Sequence, residues 1–303
     1  MKVILRVTGV LLVLGVLLAL IGVAMGAKMG IYWDESGVHA WGSDNADRPI
    51  SISEVDLVPF TDISLEIINH DIEFLASEYY GFELVNNNDT EVAWSLQNGK
   101  LTITEKSRGK FGINLNFFRE LFKSGSYIKI YLPADAVLGD VSVENVSGAV
   151  VVSALTCSSL SINTVSGRAD IDGAIADKLT IESVSGGLAL RDCRAESVTI
   201  SIVSGRSSIS GIQSNGLHLD SISGRVEIGG DLLGQSEISS VSGSILLQIV
   251  GKSENYNKNF NLVSGNLRIN GLGFSKDYSE KNGAPNSLKI DTISGSVTVY
   301  FAQ

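Results

Sequence analysis

Over most of the chain apolar and polar residues alternate one by one, and the alternation is organised into a repeat. The tripeptide Val/Ile-Ser-Gly recurs eight times, with glycines at Gly148, Gly167, Gly186, Gly205, Gly224, Gly243, Gly265 and Gly295. The first five intervals are 19 residues each, and the last two are 22 and 30. Two positions after these glycines stand Val150, Ala169, Leu188, Ser207, Val226, Ile245, Leu267 and Val297. Four positions after stand Val152, Ile171, Leu190, Ile209, Ile228, Leu247, Ile269 and Val299. Ahead of the tripeptide run two more apolar columns, Leu160, Leu179, Val198, Leu217 and Ile162, Ile181, Ile200, Leu219, Ile238. Polar residues such as Asp170, Glu227, Thr180 and Glu237 lie between them. A period of two marks strands with one buried face. Each unit therefore reads as strand, tight Ser-Gly corner, strand, and a longer turn that carries Gly173, Gly211 or Gly230.

One unit cannot fold alone. It buries about five apolar side chains, roughly 1.5–3 kcal/mol each. Ordering its backbone costs on the order of 1–2 kcal/mol per residue. Neighbouring units must share strand hydrogen bonds and one core, as stacked repeats do. The pattern predicts an all-β, parallel β-solenoid (β-helix) of about 19-residue coils, about 4.8 Å apart; it leaves the handedness open. The corner glycine needs either a positive φ or room that a Cβ would take. The structural repeat corners are thus Ser147-Gly148, Ser166-Gly167, Ser185-Gly186, Ser204-Gly205, Ser223-Gly224, Ser242-Gly243, Ser264-Gly265 and Ser294-Gly295. Their hydroxyls suit hydrogen bonds to the backbone of the corner or of the next coil. The pattern leaves one question of phase. Thr164, Ser183, Ser221 and Ser240 should face inward with their strands, which would turn the following Val or Ile outward.

The remaining segments frame this array. Residues 7–27 carry no charge over 21 positions, and a helix of that length spans roughly 31 Å, a bilayer's hydrocarbon core. Lys2 and Arg6 precede the run, and Asp34 and Glu35 follow Lys28, so the positive-inside rule places the N-terminus in the cytoplasm. Ala24-Met25-Gly26 offers the alternative of a cleaved signal peptide and a secreted form. The expected layout is a cytoplasmic tail at 1–6, a transmembrane helix at 7–27 and a juxtamembrane linker at 28–49. Irregular β coils and a cap follow at 50–140, then the regular solenoid at 141–303. Ile113, Phe117, Phe118, Leu121 and Phe122 fall on one face of a short helix in that cap. The long intervals put insertions near 251–259 and 271–287, either as working loops or as a cover for the open edge.

Composition narrows the function. Gly numbers 32 of 303 residues without a period of three, which excludes collagen, and 44% hydrophobic residues exclude disorder. Mean hydropathy is +0.21, divided between one span and the solenoid core. A net charge of −10 excludes a basic nucleic-acid surface. Without Lys2 and Arg6 the exported part holds 21 basic against 33 acidic residues. Cys157 and Cys193 lie two coils apart, roughly 9–10 Å, beyond the reach of a disulfide. His39, His70 and His218 have no metal-ligand spacing, and no nucleophile elbow, P-loop or calcium-binding nonapeptide is present. Arg168, Arg206 and Arg225 share an outward column beside Asp170 and Glu227, the groove a polysaccharide lyase or hydrolase would need. Gly187 interrupts that column, and the charges can pair with one another. No catalytic residue, cofactor or metal is expected.

The basic N-terminus and apolar span, GIYWDESGVHAW, ISLEIINHDIEF, IKIYLPADA and the repeated VSG resemble a family of membrane-anchored bacterial adhesin-like proteins, sometimes called LiaG-like. The resemblance implies a β-solenoid of the cell envelope, without established catalytic residues. The expected partners are the membrane and an envelope protein or cell-wall glycan. The expected role is adhesion, interaction or envelope stress, with a polysaccharide-binding or polysaccharide-degrading β-helix protein as the alternative.

Overall fold

The computed structural model describes residues 29–34, 37–40, 50–87, 90–107, 112–113 and 125–302. The expected tail at 1–6, the span at 7–27 and Phe117, Phe118, Leu121 and Phe122 lie outside the described residues. Among the described residues no helix is long and apolar enough to cross a membrane.

The fold is all-β. In chain order come β1 (Met29–Asp34), β2 (Gly37–Ala40), β3 (Ile50–Glu54), β4 (Asp62–Asn69), β5 (Asp71–Ser77), β6 (Gly81–Asn86) and β7 (Thr90–Gln97). Then follow β8 (Lys100–Ser107), β9 (Gly112–Ile113), β10 (Tyr127–Pro133), β11 (Val137–Ser147), β12 (Val150–Ser153), β13 (Thr156–Ser166) and β14 (Ala169–Asp172). The last are β15 (Ile175–Arg191), β16 (Arg194–Lys252), β17 (Tyr256–Ile269), β18 (Leu272–Phe274), β19 (Asp277–Glu280) and β20 (Asn286–Ala302). Two compact units result. In the smaller, β1 pairs antiparallel with β2 and with β9. The stretch read as a linker thus holds a hairpin, and Ile113 sits in a strand rather than on a helix.

The larger unit is a stack of parallel rungs. Ser147 of β11 faces Ser166 of β13, which faces Ser185 of β15, which faces Ser204 of β16. Like residues therefore stack at the repeat distance. Leu160, Leu179, Val198 and Leu217 form one interior column, and Ile162, Ile181, Ile200, Leu219 and Ile238 another, none above 2% exposed. Thr164, Ser183, Ser221 and Ser240 are buried, and Val165, Val184, Ile222 and Val241 stand half-buried outside. The alternation thus runs unbroken into the corner. Thr164 Oγ1 and Ser183 Oγ satisfy each other at 3.3 Å within their column. At the corners, Ser204 Oγ donates to Val184 O at 3.2 Å, tying one rung to the next.

The corners are tight because rungs touch there through backbone. A Cβ on Gly167 would overlap the Gly148 carbonyl oxygen and lie 3.2 Å from its carbon. Gly167 φ lies outside the left-handed range, so at this corner the need is room, not φ.

At the N-terminal end β4 and β5 make the first rung, parallel to β11 and β12. Its corner has no Ser-Gly; Asn69 and His70 stand there instead. Glu105 Oε2 replaces the lost backbone fit by accepting from Ile68 N (2.7 Å), Asn69 N (3.0 Å) and pairing with His70 Nδ1 (3.0 Å). Outside that rung β8 runs parallel to β4 and β10 parallel to β5. β6 then pairs antiparallel with β10, and β3 antiparallel with β6. Residues 50–140 therefore mix parallel stacking, in the β4–β5 rung and in β8 and β10 laid on it, with antiparallel strands.

At the other end the rungs leave chain order. β20 pairs on one side with the last rung of β16 and on the other with β17. The corner order is Gly243, Gly295, Gly265. From β16 the chain lays down β17 one rung too far out, folds β18 and β19 antiparallel onto it, and returns to fill the space with β20. The 271–287 insertion is thus an edge cover and a return path. The cover pairs Lys258–Asn261 and Leu267–Ile269 of β17. Lys258 takes an inward position over Leu288, and its Nζ meets Glu280 Oε2 of β19 at 3.0 Å.

Candidate interaction surface

One outer sheet face runs from β6 through β10, β5, β12 and β14 into the later rungs, with the same strand positions outward throughout. Alternation places side chains three to a rung. β10 presents Tyr127, Lys129 and Tyr131; β5 presents Asp71, Glu73 and Leu75; β12 presents Val151 and Ser153, with Ala149 just ahead of it. The next rungs present Arg168, Asp170, Asp172 and then Gly187, Ala189, Arg191. The rung after these presents Arg206, Ser208 and Ser210.

An aromatic cluster marks one end. Tyr127 Oη donates to Glu83 Oε1 at 2.7 Å and Tyr131 Oη to Glu83 Oε2 at 3.1 Å, across the antiparallel β6–β10 pairing. Lys129 Nζ lies 4.9 Å from the Tyr127 ring centroid, and the Tyr79 ring lies 5.8 Å from that of Tyr131. The Tyr127 hydrogen bond, then that of Tyr131, holds the Glu83 carboxyl below its ordinary range despite partial desolvation. Burial, reinforced by Glu83, pushes the Tyr131 phenol up to about 12. Two phenols are thereby fixed in orientation by one carboxylate.

Charge pairs fill the next part. Arg168 Nη2 meets Asp170 Oδ2 at 2.6 Å, and Arg191 bridges Asp170 and Asp172, the latter at 3.2 Å. Hydrogen bonds to Asp172 and then Asp170 push the Arg191 guanidinium further up. Arg225 pairs with Glu227 in the same way. Arg168, Arg191 and Arg225 thus each engage an acidic neighbour on this face. Farther along, Asn266, Arg268, Ser296 and Thr298 line a shallow recess of about 170 Å³.

Within the larger unit His70 and His218 do not converge. His70 is buried beside Glu105, His218 Nε2 lies 3.1 Å from exposed Asp220, and His39 lies on β2. Among the described residues no three His, Cys, Asp or Glu side chains gather as a metal site. Cys157 and Cys193 are buried free thiols; burial raises both, Cys157 to about 11. The corner serines and glycines form a continuous column from Ser147-Gly148 to Ser294-Gly295 and Ser264-Gly265. Sequence reasoning missed the Tyr127–Tyr131–Glu83 cluster and Arg191. Arg191 was findable, since it stands 19 residues after Asp172 in the same column. Glu83 was not, because its partner strand is antiparallel and outside the repeat.

Several solved structures are similar to this chain, three of them as follows. A candidate adhesin from Bacteroides fragilis has 15% identity and a TM-score of 0.49, covering 84% of this chain and 98% of its own. A candidate lipid-binding protein from Parabacteroides distasonis has 13% identity and a TM-score of 0.42, covering 85% and 98%. A candidate adhesin from Parabacteroides merdae has 15% identity and a TM-score of 0.37, covering 85% and 97%. No curated protein matches the chain. A family model described as Toastrack DUF4097 matches residues 60–301. Stacked 19-residue rungs and that match lead to one conclusion: the chain belongs to the Toastrack DUF4097 family.

Proposed function

We propose that the protein is a non-catalytic, single-pass membrane protein that displays its β-solenoid outside the cell, for adhesion, interaction or a role in envelope stress. The observation that carries this reading is the long outer face, where titratable groups repeat at rung spacing and pair with one another. Such a face offers many weak, regularly spaced contacts, the chemistry of recognition rather than of bond breaking. The uncharged run at 7–27 supports the anchor, with the N-terminus cytoplasmic.

A second reading is a polysaccharide-binding module, favoured by the Tyr127, Tyr131 and Tyr79 rings beside Glu83. Aromatic faces pack against the apolar faces of sugar rings while hydroxyls and carboxylates take the sugar hydroxyls. The full-length chain in detergent, screened against cell-wall glycans and envelope extracts, tests both. Binding without turnover supports the proposal, with the bound class choosing between the readings; release of shortened glycan overturns it. N-terminal sequencing of the membrane-bound form tests the anchor, which a mature start near Ala27 would refute.

A further inference from the structure

The outer face changes its chemistry over the last rungs. Three positions after the corner glycine, where earlier rungs hold Asp170 and Glu227, β20 and β17 hold Thr298 and Arg268. One position after the glycine, where Arg168 and Arg225 stand, they hold Ser296 and Asn266. The arginine has thus moved into the acid's column, and the acid is gone. Among the described residues Arg268 meets no carboxylate, whereas Arg168, Arg191 and Arg225 each meet one.

Arg268 also opens onto space. Together with Asn266, Ser296 and Thr298 it lines the recess of about 170 Å³. It faces Thr298 across one strand pairing and Gly273 of β18 across the other. A Cβ on Gly273 would find nothing within 4 Å, so the β18 side of the guanidinium is clear. All four lining side chains can donate hydrogen bonds, and Arg268 supplies the one formal charge. Beside the recess, Tyr300 points outward two positions beyond Thr298, about 7 Å along the strand, and is 44% exposed. Asn270 Oδ1 accepts from Phe301 N at 2.9 Å, which ties that end of β20 to β17.

We propose that this recess binds an acidic sugar unit of a glycan, a hexuronate, with its carboxylate on Arg268 and its ring beside Tyr300. A guanidinium fork matches a carboxylate through two parallel N–H···O bonds. The Ser296 and Thr298 hydroxyls and the Asn266 amide both donate and accept, as sugar hydroxyls require. The Tyr300 ring offers an apolar surface for the C–H face of the sugar. The chain's net charge of −10 does not oppose this. On this face the nearest described carboxylate is Glu227, three rungs from Arg268, or roughly 14 Å. Glu227 is paired with Arg225, and that separation exceeds the screening length of about 8 Å at physiological salt. The site deepens the polysaccharide-binding reading, on which it rests, by naming a ligand class.

The test titrates the full-length chain in detergent, by calorimetry, with trigalacturonate and with its methyl ester, which lacks the charge. Saturable binding of the acid form is expected, weakening as salt is added. Binding about tenfold or more weaker is expected for the ester and for Arg268→Gln. Lys178→Gln removes an equal charge from an exposed position ahead of the corner on β15, and it should bind like the parent. No binding of the acid form overturns the proposal, as does equal binding by the ester or by Arg268→Gln. A neutral glycan held at the Tyr127–Tyr131 cluster would bind Arg268→Gln as it binds the parent, so failure of this site and failure of that reading are told apart.

Discussion

Replacing Gly167 by Ala adds a single methyl group, and the rung geometry predicts a large penalty for it. The new Cβ would stand 3.2 Å from the Gly148 carbonyl carbon and overlap its oxygen. The oxygen belongs to backbone held in a ladder on both sides, so it cannot swing away as a side chain would. Relief requires the corner to open by on the order of 1 Å, which loosens neighbouring hydrogen bonds and the interior column beside them. Overpacking of this kind costs about 1–3 kcal/mol, and weakening one adjacent hydrogen bond adds about 1 kcal/mol. The expected loss is therefore about 2–4 kcal/mol, a fall in Tm of about 4–16 °C for a unit of this size. Gly271→Ala is the matched control, because Gly271 has φ +82° but nothing within 4 Å of its would-be Cβ. That variant meets only the backbone penalty of a positive φ, about 1–2 kcal/mol. Thermal and urea unfolding of both variants, followed by circular dichroism, measures the difference. A Gly167→Ala chain as stable as Gly271→Ala would refute the argument that close approach, rather than φ, fixes glycine at that corner.

Other outcomes follow from named contacts. The Glu280 carboxyl is held below its ordinary range by the Tyr278 hydroxyl first and by Lys258 second. A lowered carboxylate pKa gives stability that is present above the ordinary value near 4.5 and is lost as pH falls through the folded value. Protection factors for hydrogen exchange in β17 and β19, corrected for the intrinsic pH dependence of the exchange rate, should therefore fall on acidification below about pH 4.5, and E280Q should remove that dependence. Glu83→Gln takes a negative charge from beside two phenols, so ultraviolet titration should show Tyr127 and Tyr131 ionising at lower pH than in the parent chain. Cys157 and Cys193 should stay unreactive toward a thiol reagent until denaturant exposes them, since burial both covers and raises them.

The interior of the solenoid was legible because a strand's two faces are written in alternate residues, and five equal intervals align the columns without any structure. The phase at the corner stayed open in the sequence, and only the burial of Thr164 and Ser183 in the structure places Val165 and Val184 on the outside. Rung order at the end was not legible. An interval of 30 residues between Gly265 and Gly295 states how much chain is spent, not whether it advances or doubles back. The same limit hid His70–Glu105, which joins residues 35 apart through a strand outside the repeat. It also hid Glu83 under its two tyrosines, since antiparallel pairing obeys no repeat spacing. Periodicity reports what stacks on its own kind; contacts between unlike elements leave no such trace.

The inverted order of the last two rungs also decides where such an array can change length. Duplicating a 19-residue unit between Gly148 and Gly243 would add a rung with ready-made neighbours above and below. Duplicating a unit after Gly243 would widen or crowd the space that β20 fills between β16 and β17. Growth by unit duplication is therefore expected in the middle of the stack. Relatives of different length should differ by whole units there while sharing the same terminal closure, so the repeat behaves as an adjustable spacer with a fixed tip.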